Sequence, residues 1–162
     1  MISRQHIQLV SLLELGVYWE YPLGGKKMDH AYFCPACFAE IAANDLICPV
    51  CGVNIHQWEQ EHPSYEDRLI NALKHPNSEA RMGSIITLGN RGNPKAAIPL
   101  AECALTYSID VWQAMEIVRA LRKLPDSPEK TTALQMLLDH PARVIREEAA
   151  ATLTQVTHET YF

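Results

Sequence analysis

The chain has 162 residues, of which 48% are hydrophobic and 20% charged, and its formal net charge is −5. This composition is typical of a soluble globular protein with one or two domains and a real core. No stretch contains the ~20 apolar residues that a membrane helix needs. Residues 1–63 hold three basic and seven acidic side chains, and nucleic-acid binding requires a basic footprint. We therefore expect neither membrane insertion nor DNA or RNA as a partner.

Residues 1–27 predict a helix followed by an extended arm. Leu9, Leu13 and Val17 recur at helical spacing. Polar residues interrupt the apolar run, and no signal-peptide cleavage site follows it, so a cytoplasmic location is expected. The sequence from Met28 onward would by itself encode a ribbon followed by repeats. Residues 1–27 therefore have two interpretations: a docking arm or an extension from an upstream start.

Four cysteines form two Cys-x-x-Cys pairs with ten residues between the pairs: Cys34, Cys37, Cys48 and Cys51. Two intervening residues let a tight turn aim both sulfurs at one point, and in a reducing compartment such pairs indicate a metal. The ten residues predict a strand, a turn at Asn44-Asp45 and a returning strand. Four thiolates complete a tetrahedron that suits zinc.

This spacing resembles the short zinc ribbons found as N-terminal appendages of many bacterial and archaeal proteins, over about residues 31–55. We expect one structural zinc ion per chain, and its ligation supplies much of the folding free energy of such a ribbon. Three alternatives stay open: disulfides, a rubredoxin-like iron site, and a site in which a nearby histidine replaces one cysteine. The candidate histidines are His30, His56 and His62.

From Ser64 onward the sequence predicts helices only. Serine, asparagine and proline mark several helix starts, as at Ser64, Asn93-Pro94 and Ser127-Pro128. The six predicted helices cover residues 64–75, 78–90, 94–107, 109–123, 127–139 and 143–158.

These helices repeat in pairs. Residues 75–88 align with residues 140–153 at an offset of 65, which matches His75 with His140 and Arg81 with Arg146. Leucines recur at about half that offset, at Leu73, Leu105 and Leu137. Three helix pairs result, and the middle pair is the most diverged, without the arginine and without the Leu-Gly turn of the first copy.

The pattern resembles short bacterial HEAT repeats over about residues 64–158. The predicted fold is therefore mostly α, a three-repeat HEAT-like α-solenoid with an N-terminal helix and a small β zinc ribbon. The expected domains are residues 1–27 (helix and arm), 28–58 (ribbon) and 59–162 (repeats), with the ribbon and the N-terminal helix capping one end of the stack. In such repeats the early arginine commonly pairs with acidic residues of a neighbouring turn, which implies a structural role for Arg81 and Arg146.

No catalytic motif is present: the sequence has no phosphate-binding loop, dinucleotide fingerprint, metalloprotease motif or nucleophile motif. Cys103 lies in a predicted core helix and is interpreted as a buried small side chain. We predict no enzyme activity and no small-molecule substrate.

The candidate partner surface lies on the fourth predicted helix and consists of Trp112, Arg119, Arg122 and Lys123. The alternative is that Trp112 is core and the charges form a solvated face. The leading functional prediction is a non-catalytic adaptor or accessory subunit that binds one or more proteins of a larger complex. The alternatives are a HEAT-fold enzyme, a nucleic-acid-binding protein, or electron transfer if the metal is iron.

Overall fold

The computed structural model describes residues 32–62 and 64–159, with side chains described up to residue 155. The predicted N-terminal helix and arm lie outside these residues. The described part contains two short strands and seven α-helices, in the order β1 (Tyr32–Phe33), β2 (Glu40–Ile41), α1 (Ile55–Glu61), α2 (Tyr65–Ala72), α3 (Ser78–Arg91), α4 (Ala97–Thr106), α5 (Val111–Lys123), α6 (Pro128–Leu137) and α7 (Arg143–Glu159). A short 3-10 turn, Pro94–Ala96, leads into α4. No described helix is both long and apolar enough to cross a membrane.

The ribbon, residues 32–54, forms two loops that are each closed by backbone pairing. The antiparallel pair β1–β2 closes the first loop, with Tyr32 opposite Ile41, and an isolated bridge between Ile47 and Asn54 closes the second. The predicted turn is present, since the backbone N–H of Asp45 donates to the carbonyl of Ala42. The predicted pair of strands on either side of that turn does not form, because each segment pairs across its own cysteine loop instead.

The six predicted helices of the repeats are α2 to α7. Side-chain caps fix their starts: Ser64 accepts from the N–H of Asp67, Asp110 from that of Gln113, and Ser127 from that of Lys130. Asp110 as cap explains why α5 begins at Val111 rather than at residue 109. Helix α1, which the sequence analysis did not predict, is capped by Asn54 and buries Trp58.

The helices form a stack of three antiparallel pairs, α2–α3, α4–α5 and α6–α7. Helix α5 packs between α3 and α7, and α4 packs on α6. One continuous apolar core runs through the pairs, and its largest fully buried members are Ile85, Leu88, Leu100, Ile117, Leu121, Leu134, Leu137 and Ile145. This is a HEAT-like α-solenoid, in which each pair buries its apolar face against its neighbours.

Gly89 sets how closely α3 and α5 approach. A Cβ atom at this position would lie 2.8 Å from the Cα of Ala120, so only glycine permits the contact. The sequence predicts that Gly89 belongs to a Leu-Gly turn at the end of the helix over residues 78–90, but α3 continues through Arg91 and ends at Gly92, whose φ is 69°. Gly89 is therefore a packing residue of the helix.

Candidate metal centre and interaction surface

The two cysteine loops share one backbone conformation. In the first, the N–H of Cys34 donates to the carbonyl of Ala39, and the N–H of Phe38 donates to that of Cys34. In the second, Cys48 bonds in the same way to Val53 and Gly52. Each loop thus folds back on its first cysteine, which turns both of its sulfurs in one direction.

The four predicted ligands come together. The sulfurs of Cys34, Cys37, Cys48 and Cys51 all lie within 4.8 Å of one another. Two of the separations, Cys34 to Cys51 and Cys37 to Cys48, are 3.7 Å, far longer than the ~2 Å of a disulfide bond. A tetrahedral metal with bonds of about 2.3 Å to sulfur requires edges of about 3.8 Å. The arrangement fits a four-thiolate metal site, and the same geometry serves zinc or iron.

Backbone amides already favour a thiolate in the second loop. The N–H groups of Cys51 and Val50 donate towards Cys48 and lower its pKa to about 7. At Cys37 the N–H of Ala39 acts in the same direction, but burial and the three neighbouring thiols raise its pKa to about 12. Four sulfurs this close cannot all lose their protons without a compensating cation, which is the role that a bound metal ion fills.

The two loops differ at the residue that follows the second cysteine. Gly52 has a φ of 73°, and Phe38 occupies the equivalent position with a φ of 63°. A left-handed conformation costs a non-glycine residue roughly 1–2 kcal/mol. The Phe38 ring lies 4.4 Å from the ring of His75, at the turn between α2 and α3. The strained residue is thus the one that joins the ribbon to the helical stack.

A second contact holds the first loop against α2. The side-chain amide of Asn71 donates to the carbonyl of Pro35 over 2.7 Å. Together with the Phe38–His75 contact, it places the ribbon against the last turn of α2 and the α2–α3 turn. That the ribbon and the N-terminal helix cap one end of the stack stays a prediction, and the N-terminal helix lies outside the described residues.

The histidines in the described part of the chain do not join the thiol cluster. His56 contacts Gln60, and His62 donates to the carbonyl of Trp58 and stacks on its ring at 4.2 Å. His30, the third candidate, lies outside the described residues. Among the described residues, the metal-ligating cluster therefore consists of the four cysteines.

The predicted partner residues lie on α5. Trp112 is 79% exposed, so the alternative that it belongs to the core is wrong. The three basic side chains are exposed but engaged: Arg119 pairs with Glu116, Arg122 with Glu148 on α7, and Lys123 donates to Asn90 on α3.

Sequence reasoning missed Ile109, which is 97% exposed and precedes α5 in the α4–α5 turn. Val144 occupies on α7 the position that Trp112 has on α5 and is also exposed. Periodicity could not identify either residue, because an apolar residue near a helix start fits a core as well as a surface.

The two repeated arginines bind backbone carbonyls rather than the expected acidic residues. Arg81 donates to the carbonyls of His75 and Pro76, and Arg146 donates to those of His140 and Pro141. The histidine and proline that mark the repeat are thus the acceptors of its arginine. Neither arginine forms an ion pair with an acidic residue in the described part of the chain.

Comparison with known protein families gives one match. A family described as HEAT repeats matches residues 55–114, from the first residue of α1 to the first turn of α5. No curated protein and no solved structure matches the chain. The match agrees with the helix pairs of the structure and says nothing about the ribbon.

Proposed function

We propose that this chain is a non-catalytic interaction module, an adaptor or accessory subunit that binds one or more proteins of a larger cytoplasmic complex. The observation that carries the proposal is the exposed indole of Trp112 on the second-helix layer of a HEAT-like stack. HEAT repeats typically mediate protein–protein contacts, and a solvated tryptophan is a frequent centre of such contacts.

The contact surface in this proposal is apolar at its centre and charged at its rim. Ile109 and Trp112 are exposed next to each other at the start of α5, and Val144 is exposed at the start of α7. Arg119, Arg122 and Lys123 lie further along α5. Because each already has a partner within the stack, they contribute specificity at the rim rather than the main binding energy.

In the proposal the metal is one structural zinc ion per chain, bound by Cys34, Cys37, Cys48 and Cys51. Four sulfurs leave no open coordination position for catalysis. The ribbon, residues 28–58, acts as a cap for the repeats that follow it from residue 59. Metal analysis distinguishes zinc from iron, and the absence of visible absorption supports zinc, since iron bound by four thiolates is coloured.

Affinity purification of the tagged chain from its native cell extract tests the interaction. We expect a stoichiometric protein partner that Trp112→Ala releases and that Leu46→Ala retains, since Leu46 is 75% exposed but lies in the ribbon, outside the helical stack. A chain without a stoichiometric partner, or equal behaviour of the two variants, would overturn the proposal. Co-purifying nucleic acid would favour the nucleic-acid alternative, against which the net charge of −5 argues.

A further inference from the structure

The arginine of the first repeat is a buried cation without a counter-ion. Arg81 is 5% exposed. Its Nε donates to Oε1 of Gln113 over 2.9 Å, and its Nη1 donates to two carbonyls of the α2–α3 turn. None of the carboxylates that the structure describes forms an ion pair with it. All its hydrogen-bond acceptors are neutral, and the carboxylate of Asp110, which lines the same cavity, forms no ion pair with it.

A ring and an open cavity adjoin this guanidinium. The Cζ of Arg81 lies 3.7 Å from the ring centroid of Tyr107, a cation–π contact. Arg81 also lines a cavity of about 320 Å³ at the α4–α5 turn, together with Thr106, Tyr107, Ser108, Ile109 and Asp110. The cavity thus combines a buried positive charge, two hydroxyl groups and an aromatic wall.

Asp110 decides which kind of anion the cavity accepts. One of its carboxylate oxygens accepts from the backbone N–H of Gln113 as the cap of α5, and its negative charge opposes a bare anion. A ligand that fits must offer an acceptor to Arg81 and a donor towards Asp110. An acidic residue within a polypeptide does both, through its side-chain carboxylate and its backbone N–H.

The rim of the cavity adds an apolar requirement. Ile109 lines the cavity and is almost fully exposed, and Trp112 stands one helical turn further at the start of α5. Ile109 presents apolar surface to solvent at the cavity itself, and Trp112 does so three residues further along the chain. An apolar residue next to the acidic one would cover them.

We propose that this cavity binds an acidic residue of a partner polypeptide, with its carboxylate on Arg81 and a neighbouring apolar side chain against Ile109 and Trp112. This inference rests on the proposed function, since it assigns the chemistry that the partner presents to the Trp112 surface. A carboxylate here forms with Arg81 the ion pair that none of the described residues forms.

Two blocked dipeptides test the cavity directly: N-acetyl-aspartyl-leucine amide and its isostere N-acetyl-asparaginyl-leucine amide. Nuclear magnetic resonance of the Arg81 side-chain Nε–H and of the Trp112 indole N–H reports binding. We expect saturable shifts of both signals with the aspartyl probe. The asparaginyl probe should bind about tenfold more weakly, as expected for the loss of one charge-assisted hydrogen bond. Equal shifts with the two probes would overturn the inference.

A matched pair of variants at the exposed rim avoids damage to the fold. Ile109→Glu places a carboxylate beside Arg81 and should weaken the aspartyl probe by about tenfold relative to Ile109→Gln. If both variants bind it alike, the cavity is not the site.

The outcomes separate this inference from the proposed function. If Trp112→Ala releases a protein partner that Ile109→Glu and Ile109→Gln retain equally, the adaptor function is supported and the cavity inference is overturned. If the aspartyl probe binds selectively but no stoichiometric protein partner is found, the cavity inference is supported and the adaptor function is overturned.

Discussion

The ribbon and the helical stack differ in which side chains they bury. In the ribbon, residues 32–54, the buried side chains are those of Cys34 and Cys48, and large apolar residues such as Phe33 and Leu46 are exposed. In the stack, one apolar core extends from α2 to α7. A segment without a core needs another source of free energy, which a metal bound by its four cysteines would supply, whereas the stack is stabilised by the burial of apolar surface.

Metal removal should produce the largest difference between the two regions. Chelation of a bound metal removes a ligation free energy of about 10 kcal/mol or more, and Cys48→Ser removes one of the four sulfur ligands. We expect hydrogen exchange, followed by mass spectrometry, to lose protection throughout residues 32–54 while α4 to α7 keep theirs. Cys103→Ala is the control, since Cys103 is buried in α4 and donates to the carbonyl of Leu73, and it should leave the metal content unchanged. Unfolding of the whole stack with the metal would contradict the comparison.

A crowded glycine tests the stack in the same way. Gly89→Ala places a methyl group against Ala120 of α5 and should reduce the free energy of unfolding by about 1–3 kcal/mol. Gly83→Ala, on the same helix but with no atom within 4 Å of the added Cβ, should instead stabilise the stack by roughly 0.5–1 kcal/mol. Denaturant titration of the two variants measures both changes. If they move in the same direction, Gly89 is not a packing residue.

The third comparison concerns the junction between the two regions. Phe38→Gly should change the free energy of unfolding by about 1 kcal/mol. Glycine relieves the left-handed strain but removes the ring that contacts His75. We expect metal affinity to be retained and amide exchange in α2 to accelerate, whereas Phe38→Ala should lose the contact and keep the strain. Unchanged exchange in α2 with both variants would show that the ring does not join the regions.

The smallest effect concerns pH and lies within the stack. Burial lowers the pKa of His140, whose Nδ1 accepts from the N–H of Ala142. The unfolded chain therefore binds a proton more readily, so stability is complete above the ordinary histidine pKa of about 6.5 and falls as pH decreases towards the folded value. His140→Asn keeps an acceptor without a charge. Between pH 7.5 and 5.5, the denaturant midpoint of this variant should fall less than that of the natural chain.

Local signals predicted the four-cysteine cluster and the helices. Cys34 and Cys37, like Cys48 and Cys51, are three residues apart, so chain geometry alone brings each pair together. The starts of α2 and α6 follow from Ser64 and Ser127, whose hydroxyl groups cap the next turn.

Features that depend on contacts between distant residues were not predictable. Helix α1 has a single buried side chain, Trp58, and hence no apolar periodicity. The left-handed Phe38 takes its role from His75, far along the chain. Gly89 was interpreted as part of a Leu-Gly turn. Its close contact with Ala120 of α5 depends on the packing of two helices and is not visible in the sequence.

The divergence of the middle repeat has a consequence for anyone who averages these repeats into a consensus. Its residue at the arginine position is Gln113, and that amide oxygen accepts from Arg81 across 32 residues of sequence. An arginine there, as in the first and third copies, would set two guanidinium groups against each other in a buried site. The irregularity that makes the repeat hard to recognise is a hydrogen-bond acceptor for the arginine of the first repeat, and a uniform version of this chain would lose that acceptor.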